Sequence, residues 1–158
     1  GRLEEAAGSR FEHDAEGRPI RKITSDGRQW EYQWNGAGLL AEVATPEGTR
    51  VRFAYDPFAR RTAKTRVRID AEGAEQVERE TRYVWDGPRL VHELDSHSGR
   101  TDWYWQPGTH TPVAKVNEGR RWAIASDHLG TPTEMFDATG QSIFGAIDQT
   151  VRRVPAPE

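Results

Sequence analysis

Apolar and polar residues alternate with period two along most of the chain. Trp30, Tyr32 and Trp34 fall on one side of an extended backbone, while Gln29, Glu31 and Gln33 fall on the other. Val51, Phe53 and Tyr55 alternate with Arg50, Arg52 and Ala54, and Trp103 and Trp105 share a side opposite Asp102. Strands covered on one face and wet on the other carry this pattern. It predicts further strands near 18–24, 38–44, 60–69, 77–85, 89–95, 112–117, 120–126, 132–137 and 141–147. Apolar residues at three-to-four spacing never persist, and 15 Gly and 9 Pro punctuate the chain. Helix is therefore limited to one turn at most, over Leu3–Ala7.

The strands are separated by a repeated corner. An aromatic residue or His, then Asp or Asn, then two variable residues and usually Gly recurs at His13-Asp14-Ala15-Glu16-Gly17 and Trp34-Asn35-Gly36-Ala37-Gly38. It returns at Tyr55-Asp56-Pro57-Phe58-Ala59, in shortened form at Trp85-Asp86-Gly87, and at Phe136-Asp137-Ala138-Thr139-Gly140. Asp14, Asn35 and Asp56 are spaced by 21 residues each, and Asp86 follows 30 later, stretched by the acidic segment Asp70–Glu75, which reads as a long hairpin loop. Asp or Asn opens such a turn by accepting backbone N–H groups two residues on, and Gly closes it with a positive φ. Ala59 breaks the Gly rule, so its turn either avoids positive φ or carries about 1 kcal/mol of strain.

Composition narrows the reading to a thin sheet. Mean hydropathy is -0.86 with 30% charged residues, values that permit disorder, but 6 Trp, 4 Tyr and 5 Phe argue against it. Net charge is -3, so no strong pull toward nucleic acid or anionic membrane is expected. The chain has no Cys, and no apolar run approaches the roughly 20 residues of a spanning helix. It opens on Gly1-Arg2-Leu3 without Met and reads as an excised or processed fragment without a signal peptide.

Tyr55-Asp56-Pro57-Phe58-Ala59-Arg60 resembles the tyrosine-aspartate (YD) repeat, Tyr-Asp-x-x-Gly-Arg. Asp127-His128-Leu129-Gly130-Thr131-Pro132 is similar to the same hexapeptide in the core segment of RHS proteins, a highly specific match. Thr81–Glu93 and Pro112-Val113-Ala114 agree in order, and the resemblance covers roughly 10–153, leaving 1–9 as a tail or edge and 154–158 as a tail. It implies an all-β fold: a ribbon of antiparallel hairpins, a strip of the barrel or cocoon found in RHS proteins, insecticidal toxin complex C subunits and teneurins. Asp14, Gly17, Asn35, Gly38, Asp56, Asp86, Gly87, Asp137 and Gly140 would make its turns. Trp30, Tyr32, Trp34, Phe53, Tyr55, Trp85, Trp103, Trp105 and Trp122 would hold its wall.

The implied function is encapsulation of a C-terminal toxin, exported from the bacterial cytoplasm for competition or virulence, with type VI secretion as one route. Partners would be the remaining shell, the enclosed toxin and secretion-apparatus or adaptor proteins. No nucleic acid, cofactor, metal or membrane insertion is expected, and open sheet edges invite self-association. One departure bears on chemistry: the autoprotease element Asp-Pro-x-Gly-Leu that ends RHS cores is missing, since Asp56-Pro57 is followed by Phe58-Ala59.

Local clusters give no better chemistry. Ser126-Asp127-His128 contains the residue types of a nucleophile, an acid and a base, but neighbours on a strand point apart, which favours a turn with His128 packed beside Leu129. His92, Glu93, Asp95 and His97 could ligate a metal only if alternation did not separate them. Glu4-Glu5 or Glu78 and Glu80 lack a cleft in which to flank a substrate. Rings interleaved with Arg, as in Arg120-Arg121-Trp122, leave a carbohydrate-binding surface module as the alternative, with a self-processing aspartyl protease fragment behind it.

Overall fold

The computed structural model describes residues 5–6 and 8–143, and among these there is no helix. The chain divides into two compact units, residues 1–82 and 83–158. The first holds β1 (Glu5–Ala6), β2 (Ser9–His13), β3 (Pro19–Thr24), β4 (Gln29–Trp34), β5 (Leu40–Ala44), β6 (Thr49–Tyr55), β7 (Arg61–Ile69) and the start of β8 (Glu75–Asp86). The end of β8 opens the second, followed by β9 (Arg89–Asp95), β10 (Gly99–Trp105), β11 (Pro112–Asn117), β12 (Arg120–Ser126) and β13 (Pro132–Phe136). Strand order follows the sequence, and the registered pairs are antiparallel. The all-β hairpin ribbon inferred from the period-two pattern is therefore the fold.

Its apolar interior is thin. Among the described residues only Leu40, Val67, Ile124 and Met135 are buried hydrophobics. The nine wall aromatics are all half-buried, each covered on one side by cross-strand neighbours rather than enclosed. Stability must therefore come from many small cross-strand terms of roughly 0.2–1 kcal/mol each.

One corner geometry recurs. Asp14 N–H donates to Arg18 O (3.0 Å) and Gly17 N–H to Asp14 O (3.1 Å), a three-residue hairpin loop with its Gly in the left-handed region. Asn35, Asp56, Asp70, Asp127 and Asp137 open identical loops, and Thr24 and Thr45 do the same. In front of four of these corners the register slips by one residue, at Glu12/His13, Gln33/Trp34, Ala54/Tyr55 and Ala125/Ser126. The extra residue lies on the strand that follows the corner, at Ile20, Ala41, Thr62 and Thr133.

Four expectations change. Asp70–Glu75 is no long loop: Asp70 builds the same tight corner, and the added length lies in β7 and β8, of 9 and 12 residues. Ala59 takes the strained option, with φ 62. Glu5–Ala6 is strand rather than part of a helical turn, because it pairs with Ser9 and Arg10. A strand at 141–147 falls mostly outside the described residues; within them, Ser142 bridges Phe136 and Ile143 N–H donates to Met135 O at 2.8 Å.

Candidate functional site

The turn carboxylate is the local organiser. Asp14 Oδ1 accepts the N–H of Arg18 (2.8 Å), and its Oδ2 accepts Arg18 Nε (2.7 Å). Asp56 repeats this with Arg60, at 3.0 and 2.7 Å, and adds the N–H of Phe58. Where Asn35 stands instead there is no second carboxylate oxygen, and Leu39 replaces the arginine while Oδ1 still accepts the N–H of Ala37 and Leu39 at 3.0 Å. Desolvation opposes ionisation of Asp14 and Asp56, but the backbone and guanidinium hydrogen bonds outweigh it and hold both carboxyls below the usual range. Asp127 is held low first by the Thr131 N–H, and Asp137 by the Thr139 hydroxyl.

At several corners the residue ahead of the turn reaches back to the previous hairpin. Trp34 Nε1 donates to Pro19 O at 2.9 Å, Tyr55 OH to Leu40 O at 2.9 Å, and Trp105 Nε1 to Leu90 O at 2.8 Å, each across 15 residues of sequence. Ser126 Oγ makes a longer contact, 3.4 Å, to Pro112 O. The acceptors Pro19, Leu40 and Pro112 are the bulge partners of His13, Trp34 and Trp105. Trp34 and Tyr55 thus reach carbonyls of residues beside a register slip, as Ser126 does at Pro112. A Tyr or Trp suits this position because it combines a flat apolar body with a polar tip.

Between corners, one row of side chains crosses each pair of hairpins on the ring face. Phe11, Lys22 and Trp30 are register partners, as are Tyr32, Val43 and Val51, and Trp103, Lys115 and Trp122. Ile124 and Met135 begin the next such row. The central slot is filled by Lys, Val or Met. Lys22 Nζ lies 5.9 Å from the Phe11 ring and 5.4 Å from Trp30, and Lys115 Nζ lies 5.7 and 5.4 Å from Trp103 and Trp122. Each such contact is worth about 0.5–1 kcal/mol at a partly exposed site. Burial pushes the Lys115 ammonium below the ordinary lysine range, with the Glu93 carboxylate acting against that.

The opposite face of the first unit is a charge ladder. Arg21 bridges Glu12 (3.0 Å) and Glu31 (3.5 Å), while Glu42 holds Arg50 (3.2 Å) and Arg52 (2.7 Å). Arg52 also meets Glu75 at 2.5 Å, and the two carboxylates, Glu75 foremost, raise its pKa. In the second unit Asp102 accepts from His92 Nδ1 (2.7 Å) and Arg100 Nε (2.6 Å).

Ser126, Asp127 and His128 do not assemble into a catalytic cluster, as the turn reading of this segment expects. Ser126 is turned to Pro112, and Asp127 Oδ1 is occupied by the N–H groups of Leu129 and Thr131, both at 2.9 Å. The hexapeptide is thus a corner followed by the first residue of β13. Gly130 is fixed there twice, by φ +85 and by Thr111 Oγ1, which an added Cβ would meet at 2.8 Å. One detail needs correction: Leu129 is 79% exposed at the tip of the loop, so His128 does not pack beside it in a core. His97 sits in the corner opened by Asp95, apart from the His92–Asp102 pair, and no group of three metal-ligating side chains gathers among the described residues. The ring-tip hydrogen bonds and the central slot were not anticipated. The signal for both was the 21-residue period, which fixes the offset between a ring and the preceding corner.

Stitched antiparallel hairpins with an Asx corner and a ring ahead of it define a repeat β-sheet protein. The RHS Repeat family model matches residues 13–50 and 34–75. The Dickeya dadantii protein described as probable deoxyribonuclease RhsB is 30% identical over 151 residues, covering 89% of this chain and 10% of the relative. Toxin protein Tse5 of Pseudomonas aeruginosa is 28% identical over 194 residues, covering 99% of this chain and 14% of the relative. Among solved structures, the crystal structure of TcdB2-TccC3 matches 82% of this chain and 8% of that chain with TM-score 0.54 at 12% identity, a likeness of fold. The chain belongs to the RHS-repeat family. It spans about a tenth of the length of the curated relatives it matches.

Proposed function

We propose that this chain is a piece of the wall of a β-shell that encloses a toxin and keeps it from the producing cell until delivery. The observation that carries the reading is the ring-to-carbonyl hydrogen bond at a separation of 15 residues, made in both units. Such a bond fixes a hairpin to its predecessor at three places, two in the first unit and one in the second, which suits the wall of a container. The names of the relatives, a toxin protein and a probable deoxyribonuclease, support a toxin as the contents. The chain's own part is structural, with the reactive domain elsewhere in the reading frame. Its partners are then the rest of the shell and the enclosed domain, exported together from a bacterial cytoplasm.

Carbohydrate binding is less well supported, because stacking on a sugar needs open ring faces. Trp30 has Lys22 and Arg28 over it, and Trp103 and Trp122 share Lys115. The deciding experiment is limited proteolysis of the protein encoded by the full reading frame. Containment predicts that the domain beyond the repeats survives protease that digests the same domain made alone. Equal digestion of the two refutes it, and a saturable change of Trp fluorescence with a glycan would turn the assignment to a surface module.

A further inference from the structure

Lys22 and Lys115 occupy the same slot, but among the described residues only Lys115 has a carboxylate at hand. In the second unit the strand on the far side of β10 places Glu93 opposite Thr101, two residues from Trp103. Glu93 Oε1 accepts Trp103 Nε1 at 2.9 Å, and its charge acts on Lys115. In the first unit Phe11 stands where Trp103 stands, and Ser9 where Thr101 stands. The register position matching Glu93, opposite Ser9, is held by Ala6. The ring–lysine–ring row is the same, and no anion accompanies it among the described residues.

The rest of the unit makes this gap conspicuous. Arg18, Arg21, Arg28, Arg50 and Arg52 each have a carboxylate within 4 Å, whereas the contacts of Lys22 are the two rings. The slot does not require a cation for packing, since Val43 and Met135 fill it elsewhere. A lysine placed there presents an ammonium on the ring face, beside apolar surface, without a counter-charge among the described residues.

We propose that Lys22 accepts a carboxylate of the enclosed polypeptide, so that the ring face of β2–β4 is an inner, passenger-contacting surface that favours an acidic extended segment. This rests on the containment reading above. A polypeptide suits the surface better than a nucleic acid, because the rings that would stack on bases are already covered by cations and the chain's net charge is -3.

The test uses the protein of the full reading frame, treated with a water-soluble carbodiimide, which joins an amine to a carboxylate in direct contact. Peptide mass mapping should find Lys22 linked to an Asp or Glu of the enclosed domain, and Lys22→Met should remove that link while leaving protease protection unchanged. If the domain is protected but Lys22 is unlinked, or is linked only to repeat carboxylates such as Glu4 or Glu5, the proposal is overturned and containment stands. If the domain is not protected, containment fails and the proposal falls with it.

Discussion

Ala59 holds φ at 62 in a corner where the matching residues are Gly17, Gly38 and Gly140, with φ of 85, 75 and 81, so Ala59→Gly removes a Cβ from the left-handed region and changes little else. The side chain is exposed, and the corner hydrogen bonds run through backbone atoms and Asp56. Relief of left-handed strain is worth about 1–2 kcal/mol per residue. The extra freedom of glycine in the unfolded chain offsets roughly 0.4–1 kcal/mol of it. The expected net gain is about 0.5–1 kcal/mol, which for a chain of this size raises the melting temperature by about 1–4 °C. Gly140→Ala supplies the mirror experiment: nothing lies within 4 Å of the added Cβ, so it reports the φ cost alone and should lower stability by a similar amount. Both variants can be followed by far-ultraviolet circular dichroism and Trp fluorescence through urea and thermal unfolding, using both probes because two units need not unfold together. A midpoint that falls, or fails to move, on Ala59→Gly while Gly140→Ala is destabilising would refute the strain argument.

Tyr55→Phe keeps the ring and deletes the O–H that reaches Leu40 O, so it should cost about 1 kcal/mol in urea unfolding; an unchanged midpoint would remove the stitch from the account of stability. Lys115→Met should be tolerated within about 1.5 kcal/mol, since Met135 fills the matching slot, and a larger loss of melting temperature would show that the ammonium itself is required. The corner carboxyls Asp14, Asp56, Asp127 and Asp137 are all lower in the folded chain than the ordinary value near about 3.9. Their contribution is therefore complete above that value and lost as pH falls through the lowered ones, so urea midpoints should hold from neutral pH to about 5 and drop below about 4. A midpoint that rises on acidification would contradict this.

The corners and strands were legible because each depends on local chemistry: an Asx that accepts its own downstream N–H groups, a Gly with positive φ, and alternation between them. Thr24 and Thr45 open the same loops but went unread, since a hydroxyl residue is a weaker turn signal than Asx. Asp70–Glu75 was misjudged for the opposite reason, as its run of acids suggested a solvated loop while its Asp-x-x-Gly core fitted the common corner. Leu3–Ala7 has helical propensity in isolation, and pairing with β2 overrides it at Glu5 and Ala6. The stitches and the lysine slot depend on which residues face each other after a one-residue slip. Period-two alternation cannot report that slip, because a bulge resets the phase of every side chain beyond it.

A bond that always spans the same 15 residues has an evolutionary corollary. Duplicating or deleting one whole 21-residue module leaves every donor opposite a suitable acceptor, so lineages can lengthen or shorten the array by unequal recombination without redesigning its joints. A different increment, the 30 residues from Asp56 to Asp86, is taken up by paired lengthening of β7 and β8, and the bond from Trp105 downstream keeps its span. Variation in capacity should therefore come in whole modules, and other added lengths should fall at hairpin tips or be shared between two paired strands.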